Sequence, residues 1–480
     1  MTKDHECGSI LQKAAFIIFN YQESTSGHLH HKFNIMKKFF SIIPLLVLMI
    51  YLPSCNQVSS HTTDNDQPDK ELAEFINNIK AVDNHAHPNT IEPDDKGSDA
   101  LPLDGLGNIE LPERLRPESP DWLASYKAVY GFKPDRLNEI DMKAMADTEV
   151  NMIKQKGENF PAWALDQSKI EVMLGNRIAP GPGISAPRFR WVSYVDALLF
   201  PLSTKAEAIT PDREKLFPLE EQLLKKYLAD LGLSKLPATL DEYLAQVVTA
   251  TLELQKKNGC VALKFEAAYL RSLGFDKVEL PAAREVYAKN INGGEPAHEK
   301  YKLLQDLIFR YIAREAGRLG MAIHIHSFPG AGNYFMANAC DPLLLEPVFN
   351  DSALRNTKFV LIHGGGTFYL HTSAMLWKPN VFADISLMTR LWSAHQIAIV
   401  LRDWLSQFPG KVLFGTDAFN DGPGLGWELN AWIASATARE ALTIALSGMV
   451  KDHEVSLDRA KEIATMVMRT NASKLYNLGL

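Results

Sequence analysis

Short apolar runs that end in polar or small residues recur along this chain. Eight of them read as strands: 81–87, 170–178, 190–198, 260–266, 321–327, 359–364, 381–386 and 411–417. Helical patterns lie between most of them. Thr239-Leu240-Asp241-Glu242 has the form of a capping box opening a helix that runs to Gly259. Apolar residues at helical spacing over 297–319 stop at Gly320, and another such stretch, 392–408, is closed by Pro409-Gly410. Strands alternating with helices predict a parallel sheet, and eight of them predict closure into an α/β (β/α)8 TIM barrel. Two long insertions, 102–169 and 202–257, carry helical patterns rich in Leu, Tyr, Trp and Glu. They are expected to form a helical cap near the mouth and to supply some outer helices. The Pro- and Gly-rich stretches 176–183 and 327–332 are expected as rim loops.

Composition narrows the class. The chain has 480 residues, 46% hydrophobic and 22% charged, which suits one elaborated barrel over 72–480. A net charge of -7 and the lack of a basic stripe exclude an ordinary nucleic-acid binder, leaving a small molecule as the expected partner. Four cysteines are too few for a disulfide framework, and Cys260 and Cys340 read as buried thiols.

The N-terminal region reads as an address. Met36-Lys37-Lys38 is followed by an apolar run over 42–52, broken only by Pro44, which is short for a bilayer span and has a secretory layout. It ends in Leu52-Pro53-Ser54-Cys55, which resembles a bacterial lipobox. That layout over 36–55 predicts lipidation at Cys55 and a lipid-anchored protein of the bacterial cell envelope. A plain cleaved signal or an anchor helix is the alternative. Segment 56–71 is polar and reads as a flexible tether. Segment 1–35 reads as an untranslated or structureless extension. Its His28 and His30 show that His-x-His arises by chance in a chain with 14 histidines.

Chemistry-bearing residues fall at the strand ends, where barrel active sites are built. His85 and His87 are two apart on a strand and face one way, so both imidazoles can grip one ion. Paired strand histidines can equally be hydrogen-bonded core. His326 and His363 close the fifth and sixth strands and strengthen the metal reading. His324 also points inward and replaces His326 if the register shifts. Asp417, closing the eighth strand, suits a ligand that also accepts a proton from the attacking water. Lys264 inside the barrel requires a partner. Either it pairs with Asp417 or Glu266, or its amine carries a carbamate that bridges two metals. Arg177 and Arg271 are candidates for a substrate carboxylate and Tyr269 for a polarised carbonyl, although each fits a structural role as well.

His85-x-His87, Lys264, His326, His363 and Asp417 together resemble the amidohydrolase superfamily. Val82-Asp83-Asn84-His85-Ala86-His87, Leu263-Lys264-Phe265-Glu266 and Ile325-His326-Ser327 resemble its amidohydrolase-related branch, in particular the barrel domain fused to glutamine synthetase in nodulin-like proteins. Arg469-Thr470-Asn471-Ala472 through Tyr476 looks like the family's closing helix. The resemblance implies one or two divalent ions, often zinc, with hydrolysis of a small amide, peptide-like or ester substrate. It makes Asp417 the proton shuttle. The same branch contains non-oxidative decarboxylases that use one metal and no bridging lysine, so decarboxylation of a small carboxylic acid is the second expectation. A homodimer is also expected, since barrels of this type often pair.

Overall fold

The computed structural model describes residues 68–92, 95–106, 110–132, 139–330 and 332–480. The lipobox-like Cys55, the signal-like segment before it and His28 and His30 lie outside the described residues. One compact unit spans Pro68–Leu480. Asp69 caps its first helix by accepting from Leu72 N at 2.9 Å. No helix among the described residues is long and apolar enough to cross a membrane.

The chain runs α1 (Lys70–Asn78), β1 (Ala81–Ala86), α2 (Pro120–Tyr130), α3 (Glu139–Lys156), α4 (Phe160–Gln167), β2 (Ile170–Asn176), β3 (Phe189–Tyr194) and α5 (Pro211–Asp230). A helical turn, Leu240–Glu242, leads through a π segment, Tyr243–Thr249, into α6 (Ala250–Lys257) and then β4 (Cys260–Phe265). Next come α7 (Leu280–Asn290), α8 (His298–Leu319), β5 (Ala322–His326), β6 (Phe359–Ile362), α9 (Tyr369–Met375), β7 (Val381–Asp384), α10 (Ala394–Leu405) and β8 (Val412–Leu413). Helices α11 (Trp427–Lys451), α12 (Leu457–Thr465) and α13 (Asn471–Leu475) complete the chain.

All eight strands are parallel and hydrogen-bonded in sequence order. The cylinder closes where β1 meets the segment after β8: Asn84 N donates to Phe414 O (2.9 Å), and Asp417 N to His85 O (2.7 Å). The protein is therefore a (β/α)8 barrel. Small and branched side chains fill its axis, among them Val82, Val172, Leu174, Val192, Ala262, Ala322, Val360 and Ile362. This is the packed interior that the architecture requires. A larger apolar layer lies between strands and outer helices.

Local detail adds to this outline. β8 is regular only over two residues; the chain beyond it follows β1 and turns left-handed at Asp417 (φ 57°). The first insertion sits beside α11: Trp122, Tyr126 and Val129 pack with Met145, Leu429 and Ile433. The second insertion is more wall than lid. α5 begins at the rim, where Asp212 accepts from Tyr334 N (2.7 Å), and ends against the outer face of the barrel, where Tyr227 donates to Tyr194 O (2.5 Å). The capping box at Thr239 and the left-handed Gly320 stop after α8 are present as read. Cys260 and Cys340 are buried free thiols.

Candidate metal centre

β1 delivers His85 and His87 to the C-terminal mouth. His85 Nε2 lies 3.0 Å from Asp417 Oδ1, and His87 Nε2 lies 3.4 Å from the same oxygen. The two imidazoles and the carboxylate form a compact group whose ligand atoms all lie within 4.8 Å of one another. The far nitrogen of each ring is held. His85 Nδ1 meets Asn176 Nδ2 at 2.6 Å, and His87 Nδ1 meets Tyr194 Oη at 3.0 Å. Tyr194 Oη can accept the His87 Nδ1 proton, as partners of metal-bound histidines do, whereas the Asn176 amide N–H donates to His85 Nδ1.

His363 joins from β6. Its ring centroid is 5.0 Å from that of His85, and Nδ1 is bonded to Ser386 Oγ (2.8 Å), which turns Nε2 away from that bond. Its backbone is left-handed (φ 65°), a conformation that a non-glycine residue holds only under support. Asp384 supplies the support. Its Oδ1 accepts from His363 N (2.7 Å) and Ser386 Oγ (2.7 Å), while Oδ2 accepts from Asn84 Nδ2 (2.8 Å). The glycine after His363 serves close approach. A Cβ on Gly364 would meet the Trp404 ring at 2.4 Å and Asp384 O at 2.8 Å.

Three other expected residues stand differently. His326 is buried beside His363, with ring centroids 4.8 Å apart, but both of its nitrogens are engaged: Nδ1 with Tyr269 Oη (3.1 Å) and Nε2 with Phe328 O (2.9 Å). His324 lies one layer deeper, bonded through Nε2 to Tyr476 Oη (2.7 Å). Lys264, level with His324 in the β4–β5 register, places Nζ 3.4 Å from His85 Nε2 and 4.0 Å from Glu266 Oε1. Among the partners expected for it, Glu266 is therefore the one at ion-pair distance.

The two arginines have the structural partners that were weighed for them beside a substrate role. Arg177 grips Asp95 bidentately (2.9 and 2.6 Å) and also donates to Pro88 O and Ala179 O. Arg271 is bound by Asp306 (2.6 Å), Gln305 (2.8 Å) and two carbonyls. Both guanidiniums pin loops. Tyr269, by contrast, belongs to the site through His326.

Sequence reasoning missed Asn176, Tyr194, Asp384, Ser386 and Arg390. Arg390 is buried and donates to Asp417 O (3.2 Å) and to Asp421 Oδ2 (2.5 Å). Asn176, Asp384 and Ser386 lay within segments read as strands with polar ends, and that position was the available signal. Arg390 follows an irregular turn and gave none.

The electrostatics suit a cation. Burial, reinforced by the Lys264 ammonium, holds His85 well below the usual imidazole range, and burial lowers His363 to about 3. Both rings are neutral at ordinary pH. Burial alone would raise Asp417, but hydrogen bonds from His85 and His87 outweigh it and hold this carboxyl well below the carboxylate range. Buried neutral imidazoles around an ionised carboxylate are a donor set that a divalent ion fits.

Residues 287–478 match the family model described as Amidohydrolase. The amidohydrolase match covers the strands that bring His326, His363 and Asp417, while His85, His87 and Lys264 lie before it. No curated protein sequence matches the chain. Similar solved structures include a glucuronate isomerase from Caulobacter crescentus (TM-score 0.58, 15% identity, 85% of this chain and 94% of that one). A provisionally assigned metal-dependent hydrolase from Lactobacillus casei gives TM-score 0.57 and 15% identity over 85% of this chain and 98% of that one. A uronate isomerase from Thermotoga maritima gives 0.52 and 13% over 85% and 98%. At these identities the likeness is one of fold.

Proposed function

We propose that this protein is a metal-dependent hydrolase of a small amide, peptide-like or ester substrate. The observation that carries the reading is the convergence of His85 and His87 on one oxygen of Asp417 at the barrel mouth. The residues proposed to hold the ion are His85, His87, His363 and Asp417. His326 is available if its bond to Phe328 O yields, and Lys264 if its amine is carbamylated. A divalent cation there, zinc by preference for imidazole and carboxylate ligands, supplies a Lewis acid and a hydroxide source near neutral pH. The ionised Asp417 accepts the proton of the attacking water and returns it to the leaving group. The ring partners Asn176, Tyr194 and Ser386 keep the imidazoles oriented throughout. Buried walls limit bulk water.

Elemental analysis of the purified full chain tests this, together with turnover of amides, dipeptides, lactones and aromatic acids. One or two divalent ions per chain and metal-dependent turnover are expected. Full activity in metal-free protein would reject the reading. Carbon dioxide release from an acid would favour decarboxylation, and conversion of a uronate without water incorporation would favour isomerisation, the activity named for two of the similar structures.

The address read at 36–55 leads to a second proposal, lipid anchoring at Cys55 on the bacterial cell envelope. Its support is the lysine pair, the short apolar run and the lipobox-like end. Cells fed labelled palmitate should label the full chain, and Cys55→Ser should abolish the label. Retained label would refute the anchor.

A further inference from the structure

Resting on the metal-centre reading above, we propose that Arg390 is a positioning residue, which fixes the direction of the Asp417 carboxylate by holding its left-handed backbone from the carbonyl side. The direction of a side chain is set by the two rigid peptide planes that flank its Cα. On the first plane, Asp417 N donates to His85 O (2.7 Å). On the second, Ala418 N donates to Thr416 Oγ1 (3.1 Å), and Asp417 O accepts from the Arg390 guanidinium (3.2 Å). Among the described residues, Arg390 is the side chain that bonds this carbonyl. A non-glycine residue keeps φ at 57° where its surroundings hold it there, and such residues gather at active sites.

His363 offers the parallel. It too is left-handed, and Asp384 holds it through its N–H. Asp384 and Arg390 stand on one segment, the former as the last residue of β7 and the latter in the helical turn Met388–Leu391. Between them Leu387 is left-handed as well (φ 58°), a conformation that a bulky residue rarely adopts. The bend is closed by Met388 N on Ser386 O (2.6 Å) and Arg390 N on Leu387 O (2.9 Å). One strained segment thus delivers Asp384 and Ser386 to His363 and Arg390 to Asp417.

Arg390 is itself firmly placed. It is 1% exposed, paired with Asp421 (2.5 Å), and its Cζ lies 4.1 Å from the centre of the Phe419 ring. Phe419 and Asp421 belong to the loop leaving β8. Asn430 of α11 holds both, donating to Phe419 O (2.7 Å) and Asp421 Oδ2 (2.8 Å). Asp421 balances the buried arginine charge, which lets a guanidinium stand beside a cation site. The planar fork serves Asp417 O and Asp421 at once, which a lysine ammonium does not reproduce.

Cobalt(II) is the probe, because its visible absorption reports ligand geometry and its affinity is read by chelator competition. The native full chain, stripped of metal, should bind it. Arg390→Met, which removes every donor, should weaken cobalt by about 10–100-fold and alter the visible band. Arg390→Lys keeps the charge and loses the fork. It should weaken cobalt in the same direction, and it decides the matter if Arg390→Met does not fold. Arg439→Met is the control for lost stability. Arg439 is also buried and donates to Ile76 O (2.6 Å) and Ile79 O (3.0 Å), ahead of β1 at the opposite end of the barrel. Its loss should lower the urea midpoint and leave cobalt affinity and band as in the native chain. Native affinity and band in the folded Arg390 variants would overturn the proposal, leaving the arginine as a brace for the loop alone. Equal weakening in Arg439→Met would overturn it too, by tracing the effect to stability. A native chain that takes up no cobalt would instead reject the metal reading, and this role with it.

Discussion

Asp417 is where the site's geometry and its charge meet. It is buried, left-handed in backbone and shared by two imidazoles. Asp417→Asn keeps the shape and removes the base, so turnover should fall by about 10²–10⁴-fold with metal largely retained. A rate near that of the native chain, at equal metal content, would remove Asp417 from the chemistry. Lys264 decides how many ions the centre holds. Its ammonium lies 3.4 Å from His85 Nε2, a placement that repels a cation unless the amine is modified. If a carbamate bridges two ions, Lys264→Ala should lower the metal count, and short carboxylic acids should partly restore activity. An unchanged count would leave Lys264 as the partner of Glu266. The i, i+2 pairing of His85 and His87 was legible because strand periodicity places them on one face. The difference between His324 and His326 was not, because both share that face and only Tyr476 and Phe328 separate their roles.

The strands were the most legible elements. All eight fell where apolar runs end in polar residues, since a barrel buries both faces of each strand and exposes only the ends. The irregular pieces were not legible. β8 is regular over only two residues, Val412–Leu413, and the segment after it continues along β1, while β2 passes to β3 with no helix. The closing segment was anticipated as a helix, but its position beneath the barrel was not. Tyr476 from that segment enters the barrel axis, bonding His324 Nε2 at 2.7 Å and donating to Asn84 Oδ1 at 2.5 Å. Tyr476→Phe leaves both buried partners without that hydroxyl and should destabilise by about 1–3 kcal/mol, read as a lower urea midpoint. An unaltered midpoint would show that the plug contributes packing alone.

The molecule as a whole stores a pH response in its buried histidines. Burial, aided by the Lys264 ammonium, lowers His324 to about 3, against an ordinary value of 6.5. Below pH 6.5 the unfolded chain takes up a proton that the folded chain refuses until about pH 3. His324 therefore contributes stability that is present above 6.5 and lost on acidification through that window, by about 1.4 kcal/mol per pH unit. Asp83, which burial pushes up to about 8, acts in the opposite sense, so the native curve alone does not isolate the histidine. The difference between native protein and His324→Gln does. With metal removed by chelation, the native chain should lose stability more steeply than the variant as pH drops below 6.5. Parallel curves would refute the assignment.

Short apolar runs separated by helical periods were enough to read the barrel, because each strand and helix writes its own pattern locally. The same local code marked which polar residues stand at strand ends. It carried no information on which of them meet. Convergence of His85, His87 and Asp417 depends on closing β1 against the end of β8, more than 300 residues away. The capture of Arg177 by Asp95 and of Arg271 by Asp306 depends on loops whose paths have no period. Those contacts are set by packing in three dimensions, where hydrogen-bond geometry selects among partners that the linear pattern leaves equivalent.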